Sequence, residues 1–138
     1  MMKEDCIFCK LANGVFPTNT LYEDDEFRVI LDIAPAAKGH ALVLPKNHYE
    51  DALSADDDTI GKAMALAAKT GRALKKALGC DGINILQNNG TAAGQTVFHL
   101  HIHVIPRWDE DGIGLSWKEG KPSDEELKET AETIKKFY

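Results

Sequence analysis

The chain lacks any run of about 18 apolar residues, the length a membrane-crossing helix needs. Its hydrophobic residues make up 43% of the total but are dispersed, which suits a buried core and not a membrane anchor. No long apolar segment follows Met1-Met2-Lys3-Glu4-Asp5, so no secretory signal is expected and a cytoplasmic location is the default. Basic residues are in deficit: 16 Lys and Arg stand against 22 Asp and Glu, a net charge of −6. Proteins that grip a nucleic-acid backbone rely on basic patches, so neither nucleic acid nor a membrane surface is the expected partner. A small anion is still a possible ligand, held locally by backbone dipoles and a few donors. Cysteine is scarce, with three residues in all, two of them in Cys6-Ile7-Phe8-Cys9. In a reducing compartment that spacing points to metal or redox chemistry more than to a structural disulfide. A phosphate loop ending in Gly-Lys-Ser/Thr is absent, as are internal repeats, low-complexity tracts and a linker. The 138 residues read as one domain, 1–138.

What the chain does have is Val97-Phe98-His99-Leu100-His101-Ile102-His103-Val104-Ile105, which holds three of the five histidines. A strand sends alternate side chains to opposite faces, so His99, His101 and His103 share one face. Phe98, Leu100, Ile102 and Val104 share the other and can pack on a core. A helix would spread the imidazoles around its circumference, so a strand is expected. Imidazole serves as metal ligand, nucleophile or proton carrier near neutral pH, and the alternation alone leaves these open.

Along the chain, a short segment over Cys6 to Ala12 is stopped by Asn13-Gly14. Thr20 to Glu23 and Phe27 to Ile33 read as a hairpin, and His40 to Leu44 as a third strand closed by Pro45. A long helix is expected from Asp57 to Leu78, with Ser54 and Asp56 to Asp58 at its start and Gly79 just past its end. Ile60, Met64, Ala67, Gly71 and Leu74 form one stripe on it, and Ala63, Leu66, Thr70, Ala73 and Ala77 a second. Two weakly polar stripes exceed what one core needs, which points to a homodimer. Gly82 to Gln87 reads as a fourth strand. The loop Asn88 to Gln95 leads into the histidines, and its Gly94 admits close approach of a ligand to the backbone. Its N–H groups, with Asn88, Gln95 and Thr96, could make an anion-binding concavity. A last helix starts at a capping box of Ser123 and Glu126 and runs to about Phe137.

These motifs resemble the histidine triad (HIT) family, whose signature is His-φ-His-φ-His-φ-φ with φ apolar. His99 to Ile105 matches at every position. Leu31-Asp32-Ile33-Ala34-Pro35, Gly39 to His48, Asn88-Asn89-Gly90 and Gly94-Gln95-Thr96-Val97 match in order and spacing, so the likeness covers roughly Asp5 to Arg107. The resemblance implies an α+β fold: an antiparallel sheet of about five strands, a long helix and a C-terminal helix. It implies a homodimer that acts on the α-phosphate of purine, AMP-like nucleotides. His101 would be the nucleophile, His103 would hydrogen-bond the phosphate, and His40 would join the proton network behind them. Asn88, Gly94, Gln95, Thr96 and Val97 would hold the phosphate, and Asp32 the ribose hydroxyls. Phe8, Phe16, Ile33 and Leu42 would wall the base pocket. Cys6, Cys9, His48 and His99, spaced Cys-x2-Cys-x38-His-x50-His, match the ligands of a zinc-containing branch. Four such ligands leave no open position, so this zinc would be structural. Trp108, the 109–114 loop and the charged C-terminal helix depart from the short tail of the best-known phosphoramidase branch. The expected substrates are therefore, in order, a nucleoside phosphoramidate, an acyl or aminoacyl adenylate, and a dinucleoside polyphosphate. The reading from another class is a zinc-stabilised nucleotide-binding regulatory module with little turnover.

Overall fold

The computed structural model describes residues 1–138. Five strands form one antiparallel sheet: β1 (Thr20–Glu23), β2 (Phe27–Leu31), β3 (Ala41–Pro45), β4 (Gly82–Leu86) and β5 (Ile102–Arg107), in the spatial order β1-β2-β3-β5-β4. Three helices accompany them: α1 (Ile7–Ala12), α2 (Asp57–Leu78) and α3 (Asp124–Lys135). The fold is α+β, as expected.

The central strand β3 is buried along its whole length, so its two faces make two cores. Ala41 and Val43 join Phe27, Val29, Ile102 and Val104 beneath Ala63, Leu66, Ala67 and Leu74 of α2. Leu42 and Leu44 point the other way and meet Ile30, Ala12, Phe8 and Leu11, so that α1 covers the opposite face. The pairing Leu42↔His103 puts His103 on this second face, away from α2.

Helix α2 has the expected bounds. The Asp56 carboxylate accepts the Thr59 N–H at 2.9 Å, and Gly79 takes the left-handed conformation at φ 63°. Its buried side comprises Thr59, Ala63, Leu66, Ala67, Thr70, Gly71 and Leu74, drawn from both expected stripes. Met64, Ala73 and Ala77 are left in solvent. Gly39 (φ 87°) sits where a Cβ would come within 2.5 Å of the Leu78 side chain, so a glycine there lets the chain turn into β3 under the end of α2.

Two expectations are corrected. The strand anticipated from Val97 begins only at Ile102. The ladder to β3 ends at Val43↔Ile102, because the next residues of β3 run out at Pro45, which has no N–H to give. Phe98 therefore lies 43% exposed instead of on the core face. The last helix ends at Lys135, two residues short of Phe137; its Ser123 hydroxyl accepts the Glu126 N–H at 3.2 Å.

Candidate active site and adjoining metal-ligand cluster

The histidines lie where β5 loses both neighbours. His103 is still paired, to Leu42 on one side and Leu86 on the other. His101 and His99 precede the ladder, and Leu100 between them is pinned by its N–H to the Tyr49 carbonyl at 2.7 Å. The imidazoles remain on one side by alternation, with the His101 and His103 rings 4.9 Å apart.

Backbone groups settle which ring nitrogen carries each proton. The His101 Nδ1–H donates to the His99 carbonyl at 2.6 Å, which leaves Nε2 bare. The His99 Nε2–H donates to the Pro45 carbonyl at 2.9 Å, which leaves Nδ1 bare. The Ala36 N–H donates to His40 Nδ1 at 2.9 Å, so the His40 proton is on Nε2. That Nε2–H donates to His103 Nδ1 at 2.9 Å, so the His103 proton is on Nε2. His99 turns its bare nitrogen to Cys6 and Cys9, so the group of His40, His101 and His103 offers one bare nitrogen, on His101, beside one N–H donor, on His103.

Burial favours the neutral ring in each case. It pushes His103 down to about 4, aided by the neighbouring His101 and His40. It also lowers His40 and His101, against the opposing pull of Asp32. The Asp32 carboxylate approaches His40 Nε2 at 3.7 Å with one oxygen and accepts the Ala34 N–H at 2.9 Å with the other. Asp32, His40 and His103 are close enough to share a cation. The bond from His40 to His103 already uses two of those donor atoms, so a proton network accounts for the arrangement.

Beside His101 lies a cleft of about 280 Å³ lined by Ile7, Phe8, Leu11, Pro17, Thr18, Asn19, Ile30, Leu31, Asp32, Ile33 and Leu42. Phe8 forms the boundary, edge-on to His101 at 4.9 Å between ring centroids. The structure brings Phe8, Asp32, Ile33 and Leu42 together there as expected. It does not bring Phe16, which stands outside, 38% exposed, with the Lys10 ammonium 5.5 Å above its ring. Ile7 and Leu11 were not anticipated, although their spacing of four on a short helix could have found them. Ile30 and Asn19 gave no local signal.

The loop before the histidines divides into scaffold and free groups. Gln95 is buried and its amide is committed: Oε1 accepts the Gly90 N–H at 2.8 Å, and Nε2 donates to the Glu50 and Val97 carbonyls at 2.8 and 3.1 Å. Both donors of this side chain are thus engaged by backbone carbonyls, and the Gln95 backbone N–H donates to the Gly90 carbonyl at 3.1 Å. Thr96 is exposed and Val97 half-buried. Gly94 has φ 94°, and a Cβ there would come within 3.5 Å of the Asn88 amide. Carrying the Leu86↔His103 register two residues further sets Asn88 level with His101.

A second cluster shares the His99 backbone. The Sγ atoms of Cys6 and Cys9 lie 3.5 and 3.4 Å from His99 Nδ1, and His48 Nδ1 lies 3.4 Å from Cys9 Sγ. All four ligand atoms are within 4.8 Å of one another. Burial pushes His99 down to about 4 and lowers His48, so both rings are neutral, as ligation requires. The two sulfurs accept N–H groups at 3.3 Å, Cys6 from Cys9 and Cys9 from Lys3. Two thiols and two ring nitrogens, of which the one on His99 is left bare by the Pro45 carbonyl, fit a four-coordinate zinc. Cys80 is buried apart from them.

An α+β sheet that presents a row of neutral imidazoles at the broken end of a strand, beside an apolar cleft with a carboxylate, defines a histidine-based small-molecule site. The chain belongs to the HIT family: residues 13–110 match the HIT domain. It is 48% identical to an uncharacterised HIT-like protein of Methanocaldococcus jannaschii, over 90% of this chain and 97% of that one. It is 41% identical to an adenosine 5′-monophosphoramidase of Schizosaccharomyces pombe, over 94% of this chain and 95% of that one. The crystal structure of a HIT family protein from Bacillus anthracis superposes with a TM-score of 0.91 at 38% identity, covering 98% of both chains. A zinc-bound histidine triad protein from Mycobacterium smegmatis superposes at 0.75 and 36% identity, covering 97% of this chain and 98% of that one. The family includes nucleotide hydrolases, the fission yeast protein among them.

Proposed function

We propose that this protein hydrolyses purine nucleoside phosphoramidates and related AMP-like nucleotides at the α-phosphate, through a covalent intermediate on His101. The observation that carries this reading is the bond from His101 Nδ1–H to the His99 carbonyl, which presents Nε2 as a bare nucleophile. Nε2 attacks phosphorus, a P–Nε2 bond forms, and the P–N bond to the amine breaks. Water then cleaves the P–Nε2 bond, releasing the nucleoside monophosphate and restoring His101. His103 Nε2–H donates to the phosphate oxygens, and His40, set by Ala36, keeps that proton outward. Asn88, Thr96 and the backbone from Gly94 to Val97 add donors around the phosphate. Asp32 holds the ribose hydroxyls with the carboxylate oxygen that Ala34 leaves free. The base lies between Phe8, Ile33 and Leu42 in the cleft. The name of the fission yeast relative supports this substrate class.

Cys6, Cys9, His48 and His99 would hold a zinc ion, which would supply structural cross-linking between α1 and the histidine segment. The protein works as a homodimer. Met64 and Ile85 support this: they are 48% and 37% exposed on the β4 side of α2. Ile83 and Ile85 lie on one face of β4, and Ile83 packs at Gly71, seven residues from Met64 on the same stripe of α2.

The test is His101→Ala. Turnover of adenosine phosphoramidate should fall by about four orders of magnitude or more, while nucleotide binding by calorimetry stays within about tenfold. Wild type quenched during turnover should carry a nucleotidyl group on His101 by mass spectrometry. A variant that keeps most of its activity removes His101 from the nucleophile's role.

A further inference from the structure

Three side-chain amides follow one another after β4: Gln87, Asn88 and Asn89. The backbone of this stretch has left the ladder and makes no hydrogen bond to another backbone group. Its side chains hold it instead. Gln87 Nε2 donates to Asn89 Oδ1 at 2.9 Å, and Asn89 Nδ2 donates back to Gln87 Oε1 at 2.6 Å, which closes a head-to-tail pair. Gln87 Nε2 also donates to the Asn88 carbonyl at 3.1 Å. The Ala52 N–H donates to Asn89 Oδ1 at 2.8 Å. A backbone N–H can only donate, so this bond fixes which end of the Asn89 amide is oxygen, and through the pair it fixes Gln87 as well.

The middle amide is different. The bonds of this stretch engage the two outer amides with each other and leave the Asn88 amide free. An extended chain sends alternate residues to opposite faces. Gln87 and Asn89 therefore follow Ile85, which pairs with Val104 of the core under α2. Asn88 follows Leu86, which pairs with His103, and so turns to the histidine side. It cannot turn away without pulling Gln87 and Asn89 apart. The anchor of the pair is shared. Ala52 belongs to the connection from β3 to α2, and that connection also gives the Tyr49 carbonyl to the Leu100 N–H at 2.7 Å and the Glu50 carbonyl to Gln95 Nε2 at 2.8 Å. One strip of backbone thus holds the histidine segment and both ends of the loop before it.

We propose that Gln87 and Asn89 are positioning residues for phosphate binding: their locked pair, anchored on Ala52, aims the free Asn88 amide at the α-phosphate beside His101. The inference rests on the placement of the phosphate at Asn88 under the proposed function. Neither Gln87 nor Asn89 faces that phosphate, and both act through the residue between them. The physical gain is preorganisation. An asparagine on an unpaired backbone must be ordered when it meets an anion, whereas one already aimed loses little freedom on binding. The pair also keeps its own donors satisfied away from the ligand, so Asn88 alone of the three offers an N–H to the anion.

The test is equilibrium binding of AMP and of adenosine to the full chain by calorimetry. Asn88→Ala should raise the Kd of AMP by about tenfold, for the loss of a hydrogen bond to a charged group, and leave that of adenosine within about twofold. Asn89→Ala and Gln87→Ala should each raise the Kd of AMP by about fivefold, with adenosine again within about twofold. Gln87→Ala breaks the pair without touching the Ala52 bond, so it reads the aim of Asn88 apart from the anchorage of the loop. The double variant Asn88→Ala, Asn89→Ala should bind AMP no more weakly than Asn88→Ala alone, because nothing remains to be positioned. Effects that add in the double variant would overturn the proposal. So would AMP and adenosine weakened equally by Gln87→Ala, or AMP affinity unchanged in both outer variants. An Asn88→Ala protein that binds AMP like wild type would remove Asn88 from the phosphate, and the positioning role with it. No turnover is read, so a wild type that binds AMP without hydrolysing phosphoramidates would end the hydrolytic reading and leave these outcomes decisive.

Discussion

At the scale of single residues, the site is governed by where protons sit. Four imidazoles of identical chemistry are driven to distinct roles by three backbone groups: the carbonyls of His99 and Pro45 and the N–H of Ala36. Burial then keeps the rings neutral. For His103 the ordinary value of 6.5 falls to about 4. Activity should therefore hold steady from about pH 8 down to about pH 5, below the usual imidazole titration. A kcat/KM profile with a midpoint at 6.5 would contradict this. Stability behaves differently. As pH falls below 6.5, the unfolded chain takes up a proton that native His103 refuses until about 4, so stability declines across that window on acidification. Urea midpoints at pH 7 and pH 5 give the sign. Asp32 supports a second expectation. One of its oxygens is tied to Ala34, and a ribose hydroxyl must use the other. Asp32→Asn should weaken ribonucleotides by about tenfold and 2′-deoxy analogues less, since a charge-assisted bond is lost. Equal losses in calorimetry would remove Asp32 from the ribose.

At the scale of elements, α1 and the histidine segment are one unit. Cys9 is fully buried at the join, and α1 also carries Phe8 and Leu11 of the cleft wall. Zinc bound there would tie α1 to the segment that carries the nucleophile. Cys9→Ser should lose its metal by elemental analysis, and its melting temperature should fall by about 10 °C or more, because metal binding is folding free energy. Its activity should fall less than that of His101→Ala, with the change mostly in KM. Metal-free wild type, purified without chelator, would refute the site. How much of this was legible varied with how local the cause is. The bounds of α2 could be read from Asp56 and Gly79 because caps act within a turn. The hairpin and β3 could be read from alternation. The start of β5 could not, because it depends on where β3 ends in space, at Pro45. The two cysteines and two histidines of the metal-ligand cluster are separated by 38 and 50 residues, which no local pattern connects. Only the family resemblance joined them. Gln95 was identified as part of the phosphate loop, but its buried amide serves the backbone, a distinction that needs the loop's coordinates.

At the scale of the whole molecule, the monomer leaves too much apolar surface in water at one edge. Strand β4 has no neighbour beyond it, and an unpaired edge invites another chain. Met64 and Ile85 stand there, while Leu53 and Phe98 are also exposed, at 82% and 43%. The helix stripes anticipated a dimer, and either Met64 or Ala67 was a candidate for its interface. The structure separates the two. Ala67 is fully buried in the core under α2, so Ala67→Glu would unfold the chain whatever its oligomeric state. Met64 is half in solvent, so Met64→Glu leaves the monomer's packing untouched. In a two-fold dimer the new carboxylates enter twice, near each other and away from water. The dimer's dissociation constant should rise by about tenfold or more, a penalty of about 1.4 kcal/mol or more. Sedimentation velocity across a dilution series reads this, and circular dichroism confirms an unchanged fold. A wild type that sediments as a monomer at micromolar concentration would end the dimer proposal. A Met64→Glu protein that dimerises as tightly as wild type would move the contact away from the β4 edge.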